Sequence, residues 1–202
     1  MSTFDIRLAG SGGQGLVFAS IVLARAASIY ETKSVSMRDS KLEKKRDDVL
    51  FAAQTQTCDA AVRGGDSRAE VKISDEEILF PQIGIPDILI LTSEYAFDKY
   101  GYDVKKETIT ILDPGTVHSR PKNKFFEIPA TSIASSLGRA LVANVVMLGA
   151  IPAITGVVSL ESVKKALLDQ IPKGTEDLNL KALNEGYELG DKVVKIGVID
   201  DC

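Results

Sequence analysis

Gly10-Ser11-Gly12-Gly13-Gln14-Gly15 is the stretch that decides the fold. It follows an alternating segment at 3–9, which predicts a first strand, and precedes an apolar, alanine-rich segment at 16–29, which predicts a first helix. Its first, third and sixth residues match the G-x-G-x-x-G spacing of phosphate-binding turns. Because backbone N–H groups at a helix N-terminus attract anions, the stretch predicts contact with a phosphate. The alternative is a sharp turn that binds nothing.

Each of the three glycines has an expected role in this turn. Gly10 permits the tight turn, Gly12 allows an anion to approach closely, and Gly15 allows the helix to pack closely on the strand. A dinucleotide site also needs an acidic residue about 20 residues further on. Glu31 comes too early and Asp39 falls in a charged stretch, so an ordinary NAD site is disfavoured.

Composition limits the class of protein. The chain has 202 residues with 45% hydrophobic and 26% charged residues, which is typical of one globular domain. Its net charge of −4 argues against a nucleic-acid binder. The apolar segment at 141–158 is interrupted by Asn144 and Pro152, so it predicts a buried helix and not a membrane span. Two distant cysteines, Cys58 and Cys202, and the absence of a signal pattern indicate a cytoplasmic protein.

Strands and helices alternate along the rest of the chain. Short apolar runs at 87–92 and 108–112 predict buried strands, 125–128 predicts an edge strand, and the chain from 131 onward predicts helices. Ser74-Asp75-Glu76-Glu77 matches a capping box and predicts a short helix. We therefore expect a single α/β domain over all 202 residues, with a Rossmann-like, mostly parallel sheet, helices on both faces and a helical C-terminal part.

A hairpin is expected as an insertion into this plan. Extended segments at 50–57 and 69–73 are joined by a Gly-Gly turn signal. The joining stretch, Arg63-Gly64-Gly65-Asp66-Ser67-Arg68, combines guanidinium forks, backbone N–H groups and a hydroxyl, which suit phosphate or carboxylate capture. A polar loop with solvated arginines is the alternative.

The chain offers no reactive group of its own. There is no Cys-x-x-Cys cluster, no metal-ligand constellation and no serine–histidine–acid arrangement, so neither catalytic nor metal-binding residues are expected. Asn144 is the exception within its apolar segment, because a buried amide needs a partner in a loop, a subunit interface or a ligand. The candidate binding residues are Gly10, Ser11, Gly12, Gly13, Gln14, Gly15, Arg63, Gly64, Gly65, Ser67, Arg68 and Asn144.

Four motifs occur in a familiar order, at 10–15, 54–57 (Gln-Thr-Gln-Thr), 63–71 and 144–150. With them the chain resembles the gamma subunits of the 2-oxoacid:ferredoxin oxidoreductases, which also form one domain of single-chain pyruvate:ferredoxin oxidoreductase. The resemblance implies oxidative decarboxylation of a 2-oxoacid with coenzyme A, giving acyl-CoA, carbon dioxide and reduced ferredoxin. It places thiamine diphosphate on alpha and beta subunits and iron–sulfur clusters on beta or delta subunits, and it implies that gamma helps to bind coenzyme A and completes the assembly.

The resemblance leaves several alternatives open. The Arg-Gly-Gly-Asp-Ser-Arg motif resembles the 2-oxoglutarate and branched-chain types most, and of these the 2-oxoglutarate type is favoured. Pyruvate, indolepyruvate and aryl-glyoxylate types remain open. A purely structural docking subunit and a free-standing NAD-binding protein are the other two hypotheses. Two features depart from the family pattern: the charged stretch at 38–48 resembles an insertion, and Cys58-Asp59 stands where a Tyr-Gly pair is common.

Overall fold

The computed structural model describes residues 3–31, 50–58 and 65–196. The strands of these ranges are β1 Thr3–Ser11, β2 Phe51–Cys58, β3 Asp66–Ser74, β4 Ile88–Leu91, β5 Ile109–Leu112 and β6 Phe125–Glu127. The helices are α1 Leu16–Arg25, α2 Glu94–Tyr100, α3 Ala130–Ser136, α4 Ala143–Thr155, α5 Leu160–Leu168 and α6 Glu176–Ile196. A π-helical turn continues α1, and a short 3-10 turn precedes α4.

All six strands form one mixed sheet in the order β2-β3-β1-β4-β5-β6. The pairs β1–β4, β4–β5 and β5–β6 are parallel, which confirms the expected α/β architecture. The hairpin is confirmed as the antiparallel pair β2–β3. It extends the sheet, because β3 pairs with β1 along the whole strand, from Thr3 opposite Ser74 to Ser11 opposite Asp66.

Helices cover both faces of the sheet, but unequally. The first face packs against α1 and α3–α6 in one continuous apolar core that includes Ile6 and Leu8 of β1. Two glycines bring α4 and α6 unusually close: a Cβ at Gly149 would lie 2.0 Å from the Leu183 carbonyl oxygen, and one at Gly186 would lie 1.9 Å from that of Val146. The second face carries α2, which packs over β1 and β4 in a smaller cluster.

The part of the second face formed by β1 and β3 is charged. Successive side chains of a strand point to opposite faces, so the residues alternating with the apolar set face this side. Here Lys72 Nζ lies 3.0 Å from Asp5 Oδ1, and Arg7 Nη2 lies 2.8 Å from Glu70 Oε1. Arg68 Nε lies 3.5 Å from the same Glu70 oxygen. We call these five residues the charged ladder; its centre is buried, with Arg7 and Glu70 each 6% exposed.

The prediction of a short helix from the capping-box pattern at 74–77 is wrong. Ser74 is the last residue of β3, and its Oγ accepts a hydrogen bond of 3.1 Å from the Glu76 amide. The hydroxyl therefore closes a turn instead of starting a helix, because the same local hydrogen bond serves either structure.

The charged stretch at 38–48 lies outside the described residues. None of the helices in the described ranges has both the length and the apolar character needed to cross a membrane.

Candidate functional site

The glycine-rich turn joins β1 to α1 and uses several of its own amides. The Ser11 amide donates to Gln14 Oε1 at 2.7 Å, and the Gln14 amide donates to the Ser11 carbonyl at 3.3 Å. The Gly12 amide donates to the carbonyl of Gly65 at 2.9 Å. The amide that we expected to face an anion thus holds the turn against the hairpin. Gly13 is exposed and has φ +93°, a conformation that favours glycine.

The side chain of Gln14 anchors the turn to the end of β4. Its Nε2 donates to the Thr92 carbonyl at 2.8 Å, and its Oε1 accepts from Thr92 Oγ1 at 2.8 Å. A Cβ at Gly10 would lie 2.0 Å from Thr92 Oγ1 and 2.4 Å from Gln14 Oε1. Gly10 is therefore required for this close approach of side chains to the strand.

Gly15 and Asn144 bring the starts of two helices together. Gly15 is the N-cap of α1 with φ +73°, and a Cβ there would lie 2.2 Å from Asn144 Nδ2. That amide nitrogen donates to the Gly15 carbonyl at 3.2 Å. The expectation that Gly15 serves helix-on-strand packing is corrected: its missing side chain makes room for the polar residue that opens α4.

A cavity of about 260 Å³ lies at the carboxyl ends of β1, β4 and β5, and Gly13, Gln14 and Asn144 are the predicted site residues that line it. The other predicted residues of the turn, at 10–12 and 15, are not among its lining residues. Ligands of open α/β sheets bind at this edge, next to the point where the strand order reverses. Leu141, 71% exposed, stands at its mouth. The lining residues are Gly13, Gln14, Thr92, Asp113, Thr116, Ala130, Thr131, Ala140, Leu141, Ala143 and Asn144.

Asp113 is a lining residue that the sequence reasoning missed. It follows β5, is 2% exposed, and accepts hydrogen bonds from the Thr131 amide at 2.8 Å, the Thr131 hydroxyl at 2.6 Å and the Gly115 amide at 3.0 Å. Its carboxylate thus joins the loop after β5 to the start of α3. The signal was its position directly after an apolar strand and before Pro-Gly.

The backbone of the hairpin motif at 63–68 contacts the glycine-rich turn, whereas the side chain of Arg68 lies away from the cavity. Ser67 pairs with Gly10 across β3 and β1, and Gly65 accepts the hydrogen bond from Gly12. The guanidinium of Arg68 lies on the second face, 3.5 Å from Glu70 and 5.8 Å from the centre of the Tyr100 ring. Arg68 and Ser67 do not line the cavity. Arg63 and Gly64 lie outside the described residues.

The cavity is lined by neutral dipoles and one carboxylate. Within the described ranges, neither lysine nor arginine is among its lining residues. The described residues also contain no group of three or more His, Cys, Asp and Glu side chains placed to hold a metal ion. Amide and hydroxyl groups of this kind orient a polar ligand through hydrogen bonds.

Glu94, the first residue of α2, joins that helix to the loop after β5. Its carboxylate accepts from the hydroxyl of Ser119 and, at 2.5 Å, from the His118 amide. These hydrogen bonds, first that of Ser119 and then that of His118, lower the pKa of Glu94 below its ordinary value. The only histidine is thus held through its main chain, and its exposed side chain does not line the cavity.

Comparison with known proteins gives a consistent set of relatives. Residues 48–189 match the model of the family described as pyruvate ferredoxin/flavodoxin oxidoreductase. The 2-oxoglutarate synthase subunit KorC of Methanocaldococcus jannaschii is 41% identical over 194 residues, covering 94% of this chain and 95% of the relative. The pyruvate synthase subunit PorC of Methanothermobacter marburgensis is 31% identical over 188 residues, covering 91% of this chain and 96% of the relative.

A solved structure agrees with these sequence relatives. The gamma subunit of a keto/oxoacid ferredoxin oxidoreductase from Geobacter sulfurreducens superimposes with a TM-score of 0.77 at 34% identity. The match covers 94% of this chain and 97% of that subunit. The similarity therefore extends across the whole sheet and the helices that cover it.

Proposed function

The chain belongs to the pyruvate ferredoxin/flavodoxin oxidoreductase family as a gamma-type subunit, and on that premise we propose that it contributes to coenzyme A binding in a complex that oxidises 2-oxoglutarate. Its membership confirms the resemblance derived from the four motifs. It is a subunit of a 2-oxoacid oxidoreductase. In our proposal, the thiamine and redox chemistry takes place on alpha, beta and delta subunits, and ferredoxin is the electron acceptor.

One observation carries the coenzyme A proposal: the cavity where the glycine-rich turn, Asn144 and the end of β5 meet. Its lining combines amide and hydroxyl groups with the exposed side chain of Leu141. Coenzyme A has a pantetheine arm with amides and methyl groups that match such a mixed lining, and phosphates that favour helix N-termini. The first turns of α1 and α4 both begin at this cavity.

The choice of 2-oxoglutarate rests on the ordering of relatives. KorC subunits of 2-oxoglutarate synthases are 35–41% identical to this chain, whereas the PorC subunits of pyruvate synthases are 30–31% identical. The Arg-Gly-Gly-Asp-Ser-Arg motif is compatible with this choice, since it resembles the 2-oxoglutarate and branched-chain types. Assay of the purified complex with 2-oxoglutarate and pyruvate in parallel tests this: a preference for pyruvate contradicts it.

Asn144→Ala is the variant that tests coenzyme binding. Removing the amide from the cavity wall should raise the KM for coenzyme A of the assembled complex about tenfold, the effect of losing one hydrogen-bonding group at a site. Decarboxylation of the 2-oxoacid measured without coenzyme A should be unchanged. Asn184→Ala, the same change on α6 away from the cavity, is the matched control. An unchanged KM in Asn144→Ala contradicts the proposal.

A second candidate is a subunit that serves only docking. It is favoured by the use of the Ser11, Gly12 and Gln14 amides within the protein and by the lack of lysine and arginine in the described cavity wall. Under this alternative, Asn144→Ala should alter the elution volume of the complex on a sizing column and leave the KM for coenzyme A intact. The two candidates thus predict opposite outcomes for one variant.

A further inference from the structure

Two residues at the end of α2 bind the start of β3, next to the loop of the hairpin. Asp66, the first residue of β3, is 6% exposed, and its Oδ2 accepts from Tyr100 Oη at 2.8 Å. Lys99 Nζ donates to the same oxygen at 2.6 Å. Tyr100 is itself 7% exposed, so its hydroxyl is held in place by packing as well as by this hydrogen bond.

The contact continues to the glycine-rich turn through the backbone. Asp66 pairs with Ser11, the last residue of β1, and directly follows Gly65. The Gly65 carbonyl accepts the 2.9 Å hydrogen bond from the Gly12 amide. Gln14, two residues further on, lines the cavity. The end of α2 is thus linked to the cavity wall by consecutive hydrogen bonds and strand pairing.

The surroundings of Tyr100 keep its phenol protonated and in one orientation. Burial first, and then the hydrogen bond to Asp66, raise the pKa of Tyr100 above its ordinary value. Arg7 and Lys99 each place their charged groups 5.4 Å from the centre of its ring, and Arg68 does so at 5.8 Å. The hydroxyl therefore remains a hydrogen-bond donor to Asp66 at neutral pH.

We propose that Tyr100 and Lys99 are positioning residues that, by holding Asp66 and with it the Gly65 carbonyl, fix the glycine-rich turn in the shape that coenzyme A binding requires. This inference rests on the proposed function. It assigns a role to the end of α2, which is not part of the cavity lining. Neither residue touches the coenzyme, and both act through the hairpin.

Tyr100→Phe tests the role of the hydroxyl alone, because the ring and its contacts with the three cations remain. In the assembled complex we expect the KM for coenzyme A to rise about fivefold, since the variant loses a charge-assisted hydrogen bond that holds the turn through Asp66 and Gly65. Turnover at saturating coenzyme A and decarboxylation without it should be unchanged. Tyr102→Phe is the matched control: the same change on an exposed ring whose hydroxyl has no hydrogen bond within the described ranges.

Lys99 provides a rescue test. Lys99→Met should raise the KM for coenzyme A, and Lys99→Arg should restore it, because a guanidinium can donate to the same Asp66 oxygen. A merely structural role in folding would lower the amount of assembled complex instead and would leave the KM of the remaining complex unchanged.

Hydrogen exchange of the turn gives a readout that does not depend on coenzyme A. The Gly12 amide should exchange faster in the Tyr100→Phe complex than in the unmodified and Tyr102→Phe complexes. Unchanged exchange overturns the inference. If the Gly12 amide exchanges faster in Tyr100→Phe but only Asn144→Ala raises the KM for coenzyme A, the positioning role is overturned and the proposed function remains. An unchanged KM in both Asn144→Ala and Tyr100→Phe overturns the proposed function and, with it, this inference.

Discussion

The cavity and the charged ladder lie on neighbouring strands of one sheet and use opposite chemistry. Neutral amides, hydroxyls and one hydrogen-bonded carboxylate line the cavity, whereas the cations of Arg7, Arg68 and Lys72 face the carboxylates of Glu70 and Asp5. Arg68, the arginine in the described part of the hairpin, thus faces a carboxylate within the protein, as Arg7 of β1 does. Among the described lining residues, backbone dipoles and not cationic side chains are available to an anion, and the ladder joins the strands that carry the turn.

The largest effect on stability is expected from the centre of the ladder. Arg7→Met leaves the 6% exposed Glu70 without its closest cation. Removing one partner of a buried ion pair lowers the free energy of unfolding by about 3 kcal/mol. Denaturant unfolding of the purified chain measures this. Replacing both residues together, in Arg7→Met with Glu70→Met, should recover most of the loss; a double variant no more stable than Arg7→Met would contradict this view of the ladder.

At the cavity, we expect a smaller loss from Gly15→Ala. The substitution combines strain at φ +73° with a Cβ 2.2 Å from Asn144 Nδ2, so it should lower the free energy of unfolding by about 2 kcal/mol. Gly13→Ala, at φ +93° with no atom within 4 Å, is the control and should lose about 1 kcal/mol from backbone strain alone. Equal losses in the two variants would show that the contact with α4 contributes nothing.

The smallest effect is expected at Glu94 and depends on pH. Its pKa in the folded protein is lowered, so its contribution to stability is present above its ordinary value of 4.5 and is lost as the pH falls through the folded value. Solvent screens the group, so Glu94→Gln should lose less than about 1 kcal/mol at neutral pH. Between pH 6 and pH 3, the free energy of unfolding should decline less steeply in Glu94→Gln than in the unmodified chain. Parallel curves for the two proteins would contradict this role of Glu94.

The sequence predicted the parallel strands because each is a short apolar run between turn signals, such as 88–91 and 109–112. It also singled out the glycine-rich turn and Asn144, which the structure brings into contact. It could not predict that the Gly12 amide would be used by Gly65, because that hydrogen bond joins residues 53 apart in sequence.

The roles of charged side chains were equally beyond sequence reasoning. The sequence predicts Arg68 as a candidate anion ligand, and the register of Ala9 opposite Arg68 shows which face of the sheet its side chain occupies. The sequence does not reveal Asp113 as a lining residue, because its partner Thr131 lies at the start of α3, 18 residues further along the chain. Composition reveals which groups are present, while tertiary pairing decides which of them remain available to a ligand.

Photolabelling of the assembled complex with a photoreactive coenzyme A derivative tests the central claim most directly. Mass spectrometry of the labelled peptides should find label on this chain at 10–16 or 139–147, the two segments that meet at the cavity, and excess coenzyme A should abolish it. Label confined to the partner subunits, with none on these segments, would contradict the claim that this subunit contributes to the coenzyme site.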